Sequence, residues 1–314
     1  MNKITIIGAG NVGATIAYTL TISGLASRIV LIDINEEKAL GEARDILQGT
    51  PYFHPCDIYA GTYADAKDSN IVIITSGVAR KPGQSRLDLA QVNVDILKQI
   101  TPQITKYAPN ANYIIVSNPV DILTYAFCKY SGLPENRIIG SGTILDTARL
   151  RSCISDYYDI NQQNVHAFVL GEHGDSSFIP WSVCNISNIP IDEYCAALTK
   201  PNKPIHTLSH QEIEDHVRTS GAYIIQRKGA TFHAVSMSVA YICKGLLSGI
   251  DTTMPVSTML HGEYGIDDVC LSLLNVVGHD GAHSHALLRL NDEEMKALHH
   301  SADSLKAVIK SVTF

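Results

Sequence analysis

The chain reads as an α/β protein, with a doubly wound parallel sheet expected over residues 1–140 and an α+β lobe over 141–314. Three observations predict it. Short β-branched apolar runs alternate with longer helical patterns through the first half, as in a parallel sheet covered by helices on both faces. The second half changes to long helices and two neighbouring strand-like runs. The length of 314 residues also exceeds the ~250–300 at which single cores stop growing, yet no repeat and no Ser-, Gly- or Pro-rich linker separates the halves. Two closely joined lobes follow, and the cleft between them is the default ligand site.

In order, the apolar run at 4–7 opens the sheet, a glycine-punctuated segment follows it, and 12–23 carries a helical pattern. Strands are expected at 29–32, 71–75, 113–117 and, more weakly, 137–140, with helices at 36–48 and 87–107 between them. Beyond that point the pattern predicts a helix over 143–158, a strand over 165–170 and helices over 210–228 and 231–248. Strands at 252–260 and 269–277 and a closing helix over 292–312 complete the chain.

Composition narrows the functions open to such a fold. A net charge of −7 with no basic block argues against a nucleic-acid surface, while single Lys or Arg residues in a pocket remain compatible with small anionic substrates. The seven cysteines form no CxxC pair, so reduced thiols in a cytoplasmic protein are expected rather than a disulfide framework. No stretch approaches ~18 uninterrupted apolar residues, and the first apolar run is too short for a secretion signal, so neither membrane insertion nor targeting is expected. No Cys/His constellation has metal-ligand spacing, and no metal is expected.

The glycine segment is Gly8-Ala9-Gly10-Asn11-Val12-Gly13, between the first strand and the first helix. Glycines mark many turns, so the triplet alone is weak. In this context each glycine has its own role, Gly8 for a tight turn, Gly10 for close approach to a pyrophosphate and Gly13 for helix–sheet packing. The helix N-terminus adds free N–H groups and positive dipole for an anion. Asp33 ends the second strand, 20 residues after Gly13, where a carboxylate can accept from a ribose diol and repel a 2′-phosphate. A dinucleotide-binding (Rossmann) lobe that takes NAD rather than NADP is the expectation.

Three further stretches carry polar groups suited to carbonyl/alcohol redox chemistry: Arg80 to Arg86, Leu145-Asp146-Thr147-Ala148-Arg149 and Gly171-Glu172-His173-Gly174-Asp175. Reducing a ketone needs a proton donor, and His is the usual one near neutral pH. A carboxylate beside it fixes the tautomer, one Arg grips a substrate carboxylate, and a second polarises the carbonyl. Plainer readings stand beside these. Asp146 and Arg149, three apart on a helical face, suit a surface ion pair; His173 is one of 13 histidines; Arg80 and Arg86 suit a solvated loop.

Taken together the motifs resemble the L-lactate/malate dehydrogenase family over essentially the whole chain, and its bacterial lactate-type branch in particular. The resemblance rests on Gly8 to Gly13, Lys81-Pro82-Gly83 with Arg86-Leu87-Asp88-Leu89, and Ser117-Asn118-Pro119-Val120-Asp121. It continues in Gly140-Ser141-Gly142-Thr143 with Leu145 to Arg149, Leu170 to Asp175 with Pro180-Trp181-Ser182, Lys228-Gly229-Ala230-Thr231 and the Ser301-Ala302 pair. It implies hydride exchange between nicotinamide and a small 2-hydroxy/2-oxo acid, with His173 as proton donor/acceptor and Asp146 as its orienting partner. Arg149 is then the carboxylate grip, and Arg86 polarises the carbonyl from a closing loop. Asn118 contacts substrate or nicotinamide, and Thr231 lines the substrate pocket. Without the family, Asn118 reads as a turn residue before Pro119 and Thr231 as a packed helix residue.

Arg80 departs from the lactate-type pattern, where Gln commonly precedes Lys-Pro-Gly; Arg there is a malate-type feature that meets a second substrate carboxylate. Lactate is the expected substrate, with malate or another L-2-hydroxy acid as the alternative. Arg151 and His166 match positions that bind fructose 1,6-bisphosphate across a subunit interface in allosteric bacterial members, so activation of a homotetramer is expected from the resemblance; an exposed helix Arg and a strand His are the plainer reading. Of two rivals from other classes, an NAD-dependent glycoside hydrolase needs a divalent metal, for which no Cys/His constellation has suitable spacing, and a non-catalytic NAD sensor has no need for the His/Asp/Arg/Arg set.

Overall fold

The computed structural model describes residues 2–78, 86–199 and 209–314. In chain order the elements are β1 (Lys3–Ile7), α1 (Asn11–Ile22), β2 (Arg28–Ile32), α2 (Glu36–Gly49), β3 (Asp57–Ala60), β4 (Ile71–Ile74), α3 (Arg86–Tyr107), β5 (Asn112–Ile115), α4 (Val120–Ser131), β6 (Ile138–Gly140) and α5 (Ile144–Tyr158). Then follow β7 (Val165–His166), β8 (Asn185–Ile186), β9 (Ile189–Pro190), α6 (Tyr194–Ala197), α7 (His210–Lys228), α8 (His233–Leu247), β10 (Thr252–His261), β11 (Asp267–Gly278), β12 (Gly281–His285) and α9 (Asp292–Ser311).

Six strands form a parallel sheet in the order β3-β2-β1-β4-β5-β6, with Ile4 opposite both Ile29 and Ile71. The order reverses between β1 and β4, and doubly wound sheets bind ligands outside the carboxyl ends of their strands at such a reversal. Alternating side chains feed two cores. Ile4, Ile6, Ile71 and Ile73 join Ile16 and Leu20 of α1 and Val239 and Ile242 of α8. Ile7, Val72 and Ile74 join Val94 of α3, Phe127 of α4 and Leu298 of α9. That both faces are apolar is why these strands lack a polar alternation.

The antiparallel strands are a continuation of the same sheet. β10 pairs with β6 through Ser257 and Gly140, and β11 and β12 follow outward. A small sheet of β7, β8 and β9 stands apart over a third apolar cluster with Leu150 and Ile154 of α5 and Val217 of α7.

Several expectations need correction. The strand expected over 165–170 is a ladder only at β7, followed by one bridge between Leu170 and Phe178. Side chains take over the backbone between: Arg151 donates to the Ala167 carbonyl, and Thr147 accepts from the Val169 N–H. The helix expected from 231 begins at His233, because Gly229 ends α7 at φ 84° and the chain needs Ala230 to Phe232 to turn back. Helix α4 has no counterpart among the expected elements; its first nine residues, Val120 to Cys128, are all buried. β3 is a four-residue edge strand with an exposed Asp at its start, too short to announce itself. Among the described residues no helix is long and apolar enough to cross a membrane.

Candidate active site

At the reversal point, β1 runs directly into the glycine turn. Gly8 sits at φ 105°, and a Cβ there would lie 2.7 Å from Thr75 Oγ1. A Cβ on Gly13 would lie 1.8 Å from the Gly8 carbonyl oxygen, so only glycine lets α1 start this close to the strand. Gly10 is different: nothing lies within 4 Å of its Cβ position, which leaves the backbone open from outside. Gly10 caps α1 without a side-chain hydrogen bond, so no cap competes with an anion for the first-turn N–H groups of Asn11, Val12 and Gly13. Asp33 lies beside the turn, Oδ2 accepting from Ala9 N–H at 2.6 Å and Oδ1 from Asn35 N–H at 2.8 Å. An open backbone cradle next to a fixed carboxylate fits a dinucleotide.

The second cluster brings together residues far apart in sequence. His173 Nδ1 lies 2.5 Å from Asp146 Oδ2, and Arg149 Nη1 lies 2.7 Å from Asp146 Oδ1. One carboxylate therefore holds both the imidazole and the guanidinium. Its side chain is 9% exposed, against 24% for His173 and 16% for Arg149, so the pair on α5 is no solvated surface bridge. With Nδ1 committed to Asp146, Nε2 is the ring nitrogen left to exchange a proton with a substrate.

The loop carrying His173 is tied down from several sides. Gly171 exchanges backbone bonds with Ser272 of β11 at 2.9 and 3.0 Å. The Glu172 N–H donates to Ser301 Oγ of α9 at 2.7 Å, and the His173 N–H donates to Asp121 Oδ2 of α4 at 2.8 Å. Ser176 also bonds the Glu172 carboxylate. α5 is seated in turn by Thr143, whose N–H donates to Ser272 Oγ at 3.0 Å. Sequence reasoning misses Asp121, Ser272 and Ser301 as site residues. Asp121 and Ser301 fall inside the family motifs, but only the folded chain shows them converging on one loop.

Charge follows geometry. Burial works most strongly against a charged His173, but the Asp146 carboxylate together with Asp121 outweighs it and raises the imidazole above its ordinary value. Burial likewise opposes ionisation of Asp146, and His173 with Arg149 overcome it, holding that carboxyl below the usual range. The site favours an imidazolium–carboxylate pair.

The remaining expected residues divide. Asn118 is exposed, precedes a cis Pro119, and accepts from Asn93 Nδ2 through its carbonyl at 2.6 Å. Thr231 is half-buried in the turn before α8 rather than inside a helix. Arg86 opens α3. Arg80 lies outside the described residues. Arg151 is half-buried, its Nε donating to Ala167 O at 3.1 Å and its guanidinium 5.1 Å from the Phe168 ring; His166, one residue before Ala167, is exposed on β7. Among the described residues no group of three or more His, Cys, Asp or Glu is arranged to hold a metal ion.

Comparison with known proteins covers the same ground. Residues 2–140 match the family model for the lactate/malate dehydrogenase NAD binding domain, and 143–313 match that for the lactate/malate dehydrogenase alpha/beta C-terminal domain. The chain is 46% identical over 312 residues to an L-lactate dehydrogenase of Thermoanaerobacter sp. (strain X514), covering 99% of each chain. It is 44% identical over 312 residues to that of Acetivibrio thermocellus, covering 99% of this chain and 98% of the relative. Among solved structures, the ligand-bound minor L-lactate dehydrogenase of Enterococcus mundtii superposes with a TM-score of 0.93 at 38% identity, covering 100% of this chain and 99% of that one.

Proposed function

The chain belongs to the lactate/malate dehydrogenase family, and on that premise we propose that it interconverts L-lactate and pyruvate, with NAD as its cofactor. The observation that carries the reading is the buried Asp146 carboxylate shared by His173 and Arg149. NAD, when bound, supplies or accepts the hydride. Gly8, Gly10, Asn11, Val12 and Gly13 are positioned to hold its pyrophosphate and Asp33 its ribose diol.

The protein's own groups manage charge and protons. In the direction of reduction, protonated His173 gives the Nε2 proton to the oxygen that becomes the alcohol, and Asp146 stabilises the imidazolium beforehand. In oxidation the neutral ring takes that proton back. Arg149 keeps one guanidinium nitrogen on Asp146 and offers the rest of its planar fork to the substrate carboxylate. Arg86 supplies positive charge to the carbonyl oxygen, Asn118 orients substrate or nicotinamide, and Thr231 shapes the pocket.

Arg80 favours a second reading, in which a dicarboxylic 2-oxo acid is the better substrate because a second carboxylate pairs that guanidinium. Comparing kcat/KM for pyruvate and oxaloacetate with NADH decides between them. His173→Ala is expected to lower pyruvate turnover by about 10²–10⁴-fold while NADH affinity stays within about twofold. Variant turnover equal to wild type would remove His173 from the chemistry.

The same reading divides the chain into a nucleotide lobe over 1–140 and a catalytic lobe over 141–314, and places it in the cytoplasm. It also makes the assembly a homotetramer that fructose 1,6-bisphosphate activates through Arg151 and His166. In its support, the Arg151 guanidinium lies against the Ala167 carbonyl, one residue along the chain from His166.

A further inference from the structure

Asp121 stands in the first turn of α4, three residues after Asn118, and is 2% exposed. A buried carboxylate needs compensation, and this one has an uneven supply. Oδ2 accepts the His173 N–H at 2.8 Å. Oδ1 has no hydrogen-bond partner among the described residues, and the buried Ser257 hydroxyl of β10 lies beside it without an aligned bond of its own. Burial pushes the Asp121 carboxyl up to about 6; the Ser257 hydroxyl, the His173 N–H and a charged His173 pull it back, and Glu172 opposes them. The charge is thus kept at a cost, next to the one imidazole whose protonation the chemistry uses.

Resting on the function proposed above, we propose that Asp121 is a positioning residue for the proton transfer. It anchors the main chain of His173 to the helix that follows Asn118, and it provides a second buried negative charge behind the imidazolium. Asp146 fixes the ring from α5, and Asp121 fixes the backbone from α4. Asn118 and the proton donor are thereby held in one frame, although they lie 55 positions apart in the chain. Among the described residues, the charged groups acting on His173 include Asp146 and Arg149 from α5 and Asp121 from α4, with the Asp121 charge among those that favour the protonated ring.

Asp121→Asn separates anchoring from charge, because the amide oxygen still accepts the His173 N–H. In pyruvate reduction the protonated imidazole is the active form, so activity falls as pH rises through the His173 pKa. Removing a neighbouring negative charge lowers that pKa. The alkaline limb of kcat/KM for pyruvate is therefore expected to move about 0.5–1 unit toward lower pH in Asp121→Asn. On the acid plateau the variant should retain activity within about threefold of wild type, with KM for NADH unchanged. Asp121→Ala, which loses the anchor too, should lose a further tenfold or more in kcat.

Ser257→Ala serves where Asp121→Asn fails to fold. It leaves every bond to His173 in place but makes Asp121 harder to ionise, so in lactate oxidation the acid limb should move the same way by a smaller amount. Limbs coincident with wild type in the variants that fold, with wild-type pyruvate turnover intact, overturn the inference alone. A wild-type protein that turns over neither pyruvate nor lactate sinks the parent reading and this inference with it.

Discussion

Asp146 shows how one residue can carry two meanings in a sequence and only one in a fold. Its spacing from Arg149 places both on one helical face, which serves a surface ion pair equally well. Burial decides: at 9% side-chain exposure, with one oxygen on His173 and the other on Arg149, the carboxylate is committed to the site. Asp146→Asn follows from this arrangement. The neutral amide can hold the ring but cannot offset its charge, so the His173 pKa loses the largest influence that raises it. On the proposed role of protonated His173 as the proton donor in reduction, pyruvate turnover in Asp146→Asn is expected to fall off at lower pH than in wild type, and kcat near neutrality to drop about 10²-fold or more. A pH series of steady-state rates checks both. An unchanged limb would show that Asp146 does not set the protonation of His173. His173 itself is legible only through its glycine-flanked motif; which of 13 histidines reaches a carboxylate is a long-range fact.

Among the elements, the strand–turn–helix at β1 and α1 is the most legible, because every constraint on it is local. The glycines answer backbone demands within six residues: Gly8 at φ 105° and Gly13 pressed against the Gly8 carbonyl. Gly13→Ala is therefore expected to force the turn open. Its Cβ position lies 1.8 Å from a backbone oxygen that no rotamer can move aside. Denaturant unfolding should show a loss of about 1–3 kcal/mol, and NADH titration a weakening of at least tenfold. Retained NADH affinity would dissociate the turn from cofactor binding. α4 marks the opposite limit. Buried throughout Val120 to Cys128, it is absent from the expected elements, yet it delivers Asp121 to the His173 loop.

At the scale of the molecule, the parallel and antiparallel halves share one nine-stranded sheet, joined where Ser257 of β10 meets Gly140 of β6. That continuity sets α4, α5, β11 and α9 around the His173 loop as parts of one framework. The proposed regulation belongs to this scale: a bisphosphate bridging subunits would bias the whole assembly by its different affinity for two states. Fructose 1,6-bisphosphate is expected to lower KM for pyruvate about tenfold in the wild type. Arg151→Gln should abolish that response while leaving maximal kcat within about twofold. Pyruvate saturation curves with and without the activator check it; superimposable wild-type curves would refute the regulatory site.

Local sequence is sufficient for five of the six parallel strands, the nucleotide turn, the Asp33 carboxylate and the residue types of the redox set. Those features follow from strand period, backbone demands and short spacings, which neighbours in the chain specify. Packing alone establishes that Asp146 serves His173 and Arg149 at once, and that Asp121, Ser272 and Ser301 hold the loop between them. The cause of the division is separation along the chain. Apart from Asp146–Arg149, these contacts form between residues tens to more than a hundred positions apart, and what sets them is how a continuous sheet packs its helices.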